Sequence, residues 1–183
     1  MIHLTTERLL IRDHVPQDLV THHALFSDSK VMRYLPELMT HDLEQSQKNL
    51  QQAIDQIGLA ERKFYYFRIE DRLTNEHIGE IGYTVTKRTP LGKCVGMGYF
   101  IRNCFWGRGY TSEALREVMK FAFQEDNVYR ISTGCLKENA ASERVMQKCG
   151  LIKEAEFKEY QWHEGKLKDR VEYRLLRSEW KPW

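Results

Sequence analysis

Two glycines one residue apart, Gly107 and Gly109, separate an apolar strand pattern that ends at Ile101 from a helical pattern that runs to Phe123. A helix N-terminus leaves several amide N–H groups unpaired and carries about half a positive charge from its macrodipole. A turn without side chains at those positions lets the amides approach a bulky anion closely. Arg108 stands between the glycines, and Thr111 and Ser112 add hydroxyl donors in the first turn of the helix. The segment reads as a pyrophosphate site. It matches neither of two common nucleotide motifs, because no Lys-Ser/Thr pair follows the glycines and no full GxGxxG opens the helix. Arg102 and Arg108 flank the turn, Arg116 and Lys120 lie one helical turn apart, and Arg144 and Lys148 repeat that spacing further on. Such a grouping of cations suits a ligand with several phosphates better than a single carboxylate.

Around this turn the chain alternates strand and helix patterns. Leu4 to Asp13 reads as a first strand, and Pro16-Gln17-Asp18 opens a helix that runs to about Phe26. Thr40 is the expected N-cap of a second helix carrying Leu43, Leu50, Ile54 and Ile57 at helical spacing. Strands follow at Phe64 to Glu70, His77 to Thr86 and Cys94 to Ile101; Gly79 and Gly82 predict a bend or a close approach by another backbone. Beyond the helix come a strand from Val128 to Cys135, a short helix from Asn139 to Cys149 and a hairpin of Leu151 to Trp162 with Leu167 to Leu176. The order β-α-α-β-β-β-α-β-α-β-β predicts a single α/β domain over residues 1–183. Its front half is antiparallel, with one βαβ crossover behind. That is not a doubly wound nucleotide-binding sheet.

Composition narrows the setting. The 183 residues are 42% hydrophobic and 30% charged with a net charge of +2, which is not the balance of a nucleic-acid binder. No apolar run of about 18 residues predicts a membrane span, and Met1 to Arg8 lacks a secretory signal pattern. Cys94, Cys104, Cys135 and Cys149 form no CxxC pair, so reduced thiols in a cytoplasmic protein are expected. The seven histidines show no ligand spacing, and no metal is expected.

Tyr99-Phe100-Ile101, followed by Cys104-Phe105-Trp106-Gly107-Arg108-Gly109-Tyr110-Thr111-Ser112-Glu113-Ala114-Leu115, resembles the acetyl-CoA-binding motif of GNAT-superfamily acetyltransferases. Lys137 to Leu151 is similar to that family's later block, with Asn139 and Ser142 opening a helix that ends at Gly150. Leu4 to Arg12, Arg170 to Tyr173 and Ser178 to Trp180 resemble the ribosomal-protein alanine N-acetyltransferase branch. The resemblance implies a largely antiparallel sheet with splayed central strands flanked by helices, and acetyl-CoA as co-substrate. It implies that Gly98 to Ile101 bulges and splays from Val128 to Cys135. Backbone groups at Phe100 and Ile101 would then pair with the pantetheine arm. Trp106, Gly107, Arg108, Gly109, Tyr110 and Thr111 would cradle the pyrophosphate, with Arg144 nearby. Asn139 would hydrogen-bond the pantetheine, and Ser142 would give a proton to the leaving thiolate.

One position departs from that branch in a way that matters. Where the ribosomal-protein enzymes carry a catalytic Glu on the strand after Gly150, this chain has Gln161, and an amide takes up no proton at neutral pH. The carboxylates left as candidate bases are Glu80 and Glu159, the latter on the face of Gln161 if strand alternation holds. The expected reaction is attack of a neutral primary amine on the thioester carbonyl, with a peptide N-terminal α-amine as the expected acceptor. A polyamine, aminoglycoside or amino acid is the alternative, for which Asp42, Glu44 and Asp55 offer negative charge. A non-catalytic acyl-CoA sensor is the remaining possibility. A monomer or a homodimer is expected, with no nucleic-acid or membrane partner.

Overall fold

The computed structural model describes Met1–Trp183, and all eight strands join one sheet in the order β1-β2-β3-β4-β5-β6-β8-β7. The strands are β1 His3–Thr5, β2 Leu9–Asp13, β3 Phe64–Asp71, β4 His77–Thr89, β5 Gly92–Ile101, β6 Val128–Leu136, β7 Ile152–His163 and β8 Lys166–Leu176. Four helices accompany them: α1 Leu19–Phe26, α2 Leu43–Ile54, α3 Tyr110–Gln124 and α4 Ala140–Lys148. Every neighbouring pair is antiparallel except β5 with β6, which α3 connects in parallel.

Two expected boundaries shift. Leu4 to Asp13 is not one strand but a hairpin: Thr6 turns the chain by donating its N–H to the Leu9 carbonyl at 2.9 Å and accepting the Leu9 N–H on its hydroxyl at 2.9 Å. The second helix is capped by Asp42, whose side chain accepts the Gln45 N–H at 2.8 Å, while Thr40 hydrogen-bonds Ser46 instead.

The core lies between the sheet and α3. Ala114, Leu115, Val118, Met119 and Ala122 lie on one face of that helix and are fully buried against Ile11, Phe67, Ile69 and Ile131 of the sheet. The close approach expected at Gly79 is present, since a Cβ there would sit 2.3 Å from the Phe100 carbonyl oxygen. A second, smaller apolar group of Leu25, Phe26, Val31 and Met32 seats α1 against Phe100 at the end of β5.

That end of β5 is where the sheet opens. The parallel ladder with β6 runs only from Lys93↔Val128 to Gly96↔Ser132 and then stops. β6 continues to Leu136 against β8, and β5 continues to Ile101 against β4. The splay implied by the resemblance is therefore present, but without the expected bulge. Gly98 to Ile101 stay in unbroken register with Gly82 to Gly79, and the irregular steps lie at the opposite end, near Val85 and Lys93.

Candidate active site

The gap between β5 and β6 is the floor of a cleft of ≈1180 Å³, walled by α3 and α4 on one side and by α1 and α2 on the other. Small-molecule sites hold roughly 300–1,000 Å³, so this space suits an extended ligand together with a second reactant.

At one end stands the double-glycine turn. Gly107 and Gly109 have φ of 75° and 82°, the left-handed region that side chains resist, and Gly109 is the N-cap of α3. Glu113 in the first turn of α3 would oppose an anion there. Burial would raise its pKa, but hydrogen bonds from Thr6 and from the Arg8 backbone and side chain hold it below the usual carboxylate range. Arg8 also donates to the Arg108 carbonyl at 3.1 Å and lies 4.2 Å over the Tyr110 ring, so a residue from the first hairpin braces this turn.

The expected cluster of cations contracts. Arg144 and Lys148 line the cleft. Arg102 pairs with Glu76, Lys120 pairs with Glu117, and Arg116 lies over Trp183 while donating to the Lys148 carbonyl. Arg108 keeps its place in the turn but turns its guanidinium toward Phe105, 6.0 Å from the ring centre. Trp106 donates its indole N–H to the Ile101 carbonyl at 2.9 Å, so that oxygen is already satisfied.

In mid-cleft Asn139 caps α4, its Oδ1 accepting the Ser142 N–H at 3.2 Å. Its amide NH2 remains for a ligand, so capping and binding are compatible in this residue. Ser142 Oγ lies 3.1 Å from the hydroxyl of Tyr99, which also donates to the Ser142 carbonyl at 3.2 Å. Burial pushes the Tyr99 phenol well above its ordinary value. Tyr99 opens the motif that runs to Leu115 but carries no role in it, although its place two positions before Ile101 puts it on the same face of β5.

Glu159 is not in the cleft. Pairing between β7 and β8 jumps from Phe157↔Arg170 to Gln161↔Lys168, which inserts extra residues on β7, and Glu159 sits in that bulge at φ 47°, exposed to solvent. Alternation fails across a bulge. Gln161 alone reaches the cleft wall, where it accepts a hydrogen bond from Arg170 at 2.7 Å.

Glu80 lies at the centre of a buried polar network. It stands opposite Phe100 on the adjacent strand, with Oε1 2.6 Å from His22 Nδ1 and Oε2 3.5 Å from His14 Nε2. His77 Nε2 is 3.9 Å away, and His22 Nε2 reaches Asn49 Oδ1 at 3.0 Å. The histidines are thus not scattered as their spacing implied: three gather round one carboxylate, brought from α1, β4 and the segment after β2. Behind His14 the network continues to Asp18 at 3.4 Å, then to Arg12, Glu70 and Arg68.

The charges in this network explain its protonation. Three carboxylates (Asp18, Glu70, Glu80) face two guanidiniums (Arg12, Arg68), and an imidazolium at His14 closes the balance. Burial alone would lower His14, but Glu80 and Asp18 raise its pKa to about 9. Burial would raise Glu80, but His22 and His14 hold it well below the usual carboxylate range. Burial pushes His77 down to about 4, so it is neutral. Donor atoms of His14, His22 and Glu80 lie within 4.8 Å of one another, but the 2.6 Å contact between His22 and Glu80 is a hydrogen bond.

Residues 8–152 match the acetyltransferase (GNAT) domain model. The chain belongs to the GNAT acetyltransferase family. It is 31% identical over 180 residues to an uncharacterized N-acetyltransferase, YnaD, of Bacillus subtilis, covering 98% of this chain and 99% of that one. The crystal structure of a GNAT acetyltransferase from Bacillus anthracis superposes with a TM-score of 0.82 at 29% identity, covering 97% of this chain and all of that one. The Escherichia coli [ribosomal protein uS5]-alanine N-acetyltransferase is 26% identical over 118 residues, 64% of this chain and 60% of that protein. The protein is thus an acetyl-CoA-dependent N-acetyltransferase with the GNAT fold. No helix is long and apolar enough to cross a membrane.

Proposed function

We propose that this acetyltransferase transfers the acetyl group of acetyl-CoA to the α-amine of a peptide or protein N-terminus. The balance of charge in the cleft lining carries this reading. Glu37, Glu138 and Glu172 are equalled in number there by Lys30, Arg33 and Arg170, and Glu138 and Arg33 are further paired with Lys168 and Glu164. Asp42, Glu44 and Asp55 are engaged elsewhere, with the Gln45 amide, Lys48 and Gln51. A polycationic acceptor needs an excess of carboxylates. A peptide offers one amine and a run of neutral backbone, and its α-amine, with a pKa near 8, loses a proton far more readily than a lysine-like amine near 10.4. The partial likeness to the uS5-alanine enzyme points the same way.

In this reading the pyrophosphate lies on the amides of the double-glycine turn with Arg144 and Lys148 beside it. The pantetheine follows β5 past Asn139, and the thioester lies near Ser142. Ser142, backed by Tyr99, protonates the leaving thiolate. A thiol-release assay over peptides with alanine or serine N-termini, polyamines and aminoglycosides tests the assignment. Peptide turnover at least about tenfold above that of any other amine is expected, and preferential turnover of a polyamine would overturn it.

Two substitutions separate the site's parts. Asn139→Ser keeps an N-cap but removes the amide NH2, so stability should hold while affinity for CoA by calorimetry falls about fivefold. Ser142→Ala should lower kcat by about 10² with little change in affinity for CoA. An unaltered kcat would end its role as proton donor.

A further inference from the structure

We infer that His22, rather than Glu80, accepts the proton of the attacking amine, with Glu80 and His14 as positioning residues. The inference rests on the amine-acetyltransfer reading above. Both oxygens of Glu80 are committed, one to His22 at 2.6 Å and the other facing His14 at 3.5 Å; burial does not separate the two groups, since the His22 side chain is 2% exposed and that of Glu80 7%. A carboxylate stabilised in this way is a poor proton acceptor. Its effect is on the neighbour. By accepting Nδ1–H of His22 it fixes the ring so that Nε2 is the nitrogen turned toward Asn49.

Nε2 faces Asn49, which is half-buried in the cleft wall on α2. The Asn49 oxygen faces Nε2 at 3.0 Å, the orientation that accepts from the ring once it has taken the proton, and rotation of the amide would let its NH2 donate to the ring beforehand. The location also fits. The His22 ring lies 4.2 Å from Phe26, whose edge meets Phe100 at 5.1 Å, and Glu80 is the direct ladder partner of Phe100. The imidazole therefore borders the strand end against which the thioester would lie. His14 has a different part. Both of its nitrogens are buried without a hydrogen-bond partner at normal distance, and its charge keeps Glu80 ionised.

The step balances simply. The neutral amine forms the N–C bond, its N–H proton passes to His22 Nε2, the C–S bond breaks, and the thiolate takes a proton from Ser142. The proton on His22 then leaves through the cleft as Ser142 is reprotonated, so amine and thioester become amide and thiol.

His22→Asn tests this well, because its side-chain amide can still donate to Glu80 where Nδ1 did but offers no base at the Nε2 position. With an acceptor peptide that the wild type acetylates, kcat should fall by about 10²–10⁴ while CoA affinity by calorimetry is unchanged. With an acid hydrazide, a far weaker base whose nitrogen sheds its proton readily to water once the N–C bond forms, the loss should shrink to about tenfold or less. Equal losses with both acceptors, or a wild-type kcat, would overturn the inference. A larger defect in Glu80→Gln than in His22→Asn would make Glu80 itself the base. Activity lost to a chelator and restored by zinc would make the cluster a metal centre and end the proton role. Should His22→Asn fail to fold, Asn49→Asp serves instead. A carboxylate against Nε2 holds it protonated, and kcat should drop about tenfold or more; no drop overturns the inference. A wild type inactive toward every amine sinks the acetyltransfer reading itself, and the assignment of His22 with it.

Discussion

An Arg12→Met substitution is expected to lower stability by about 3 kcal/mol, one of the largest effects open to a single side chain in this protein. Arg12 donates to both oxygens of Asp18 at 2.8 and 2.9 Å and to Glu70 at 2.7 Å, with its side chain only 14% exposed. Removing it strands carboxylates that burial has already desolvated. Arg68 compensates only in part, since it reaches Glu70 at 2.6 Å but Asp18 only at 3.7 Å. For a chain of this size the melting temperature should fall by roughly 10 °C in calorimetry. The double variant Arg12→Met/Glu70→Met removes one charge of each sign and should recover most of the loss, because replacing a buried pair with apolar groups is often close to neutral. A single variant as stable as the wild type would mean that water reaches the network.

The same network sets a pH limit. His14 is faced by Asp18, Glu80, His22 and His77, with Arg12 and Arg68 beyond them. Its pKa is raised from 6.5 to about 9 in the folded protein, so its contribution is complete below pH 6.5 and is lost as pH rises through 9. The melting temperature should therefore decline between pH 7 and 10, and His14→Gln should flatten that decline. Equal slopes in the two proteins would show that His14 is neutral.

This network leaves no mark in the sequence, for a geometric reason. His14, His22 and Glu80 come from three segments up to 66 positions apart, and the contact exists only once α1 has packed over β4. No local period records such a meeting. By contrast, the double-glycine turn and the Asn139/Ser142 helix are contiguous and rest on local backbone geometry, so both are legible as structure in the sequence. The strand and helix order was legible for the same reason, since each pattern has its own period. Pattern and structure part where the period breaks. Thr6 folds one apparent strand into a hairpin, and the bulge at Glu159 carries that carboxylate out of the cleft. Spacing places the cations near one another but does not say that Arg102 and Lys120 have carboxylate partners of their own.

Gly109→Val is expected to abolish most CoA binding while leaving the core intact. Gly109 has φ 82° and ψ −2° at the N-cap of α3, a conformation that costs an L-residue about 1–2 kcal/mol and a β-branched one more. The obstacle is the backbone and not crowding, because a Cβ there would meet only the Arg8 guanidinium, at 3.6 Å. Valine can relieve the strain only by moving the turn, which rotates the amides at the start of α3 away from the phosphates. Affinity for CoA in calorimetry should then fall by about 10² or more, whereas Ala114, Leu115 and Val118 remain packed and the melting temperature drops only a few degrees. Gly109→Asn provides the discriminating control. Asparagine tolerates the left-handed region, so its affinity should stay within about tenfold of wild type. If valine and asparagine weaken binding equally, the loss of hydrogen at Cα matters more than the backbone angle, and the phosphates approach the Gly109 position itself. If neither weakens it, the turn is not the anion site, and the phosphates must depend on Arg144 and Lys148 alone.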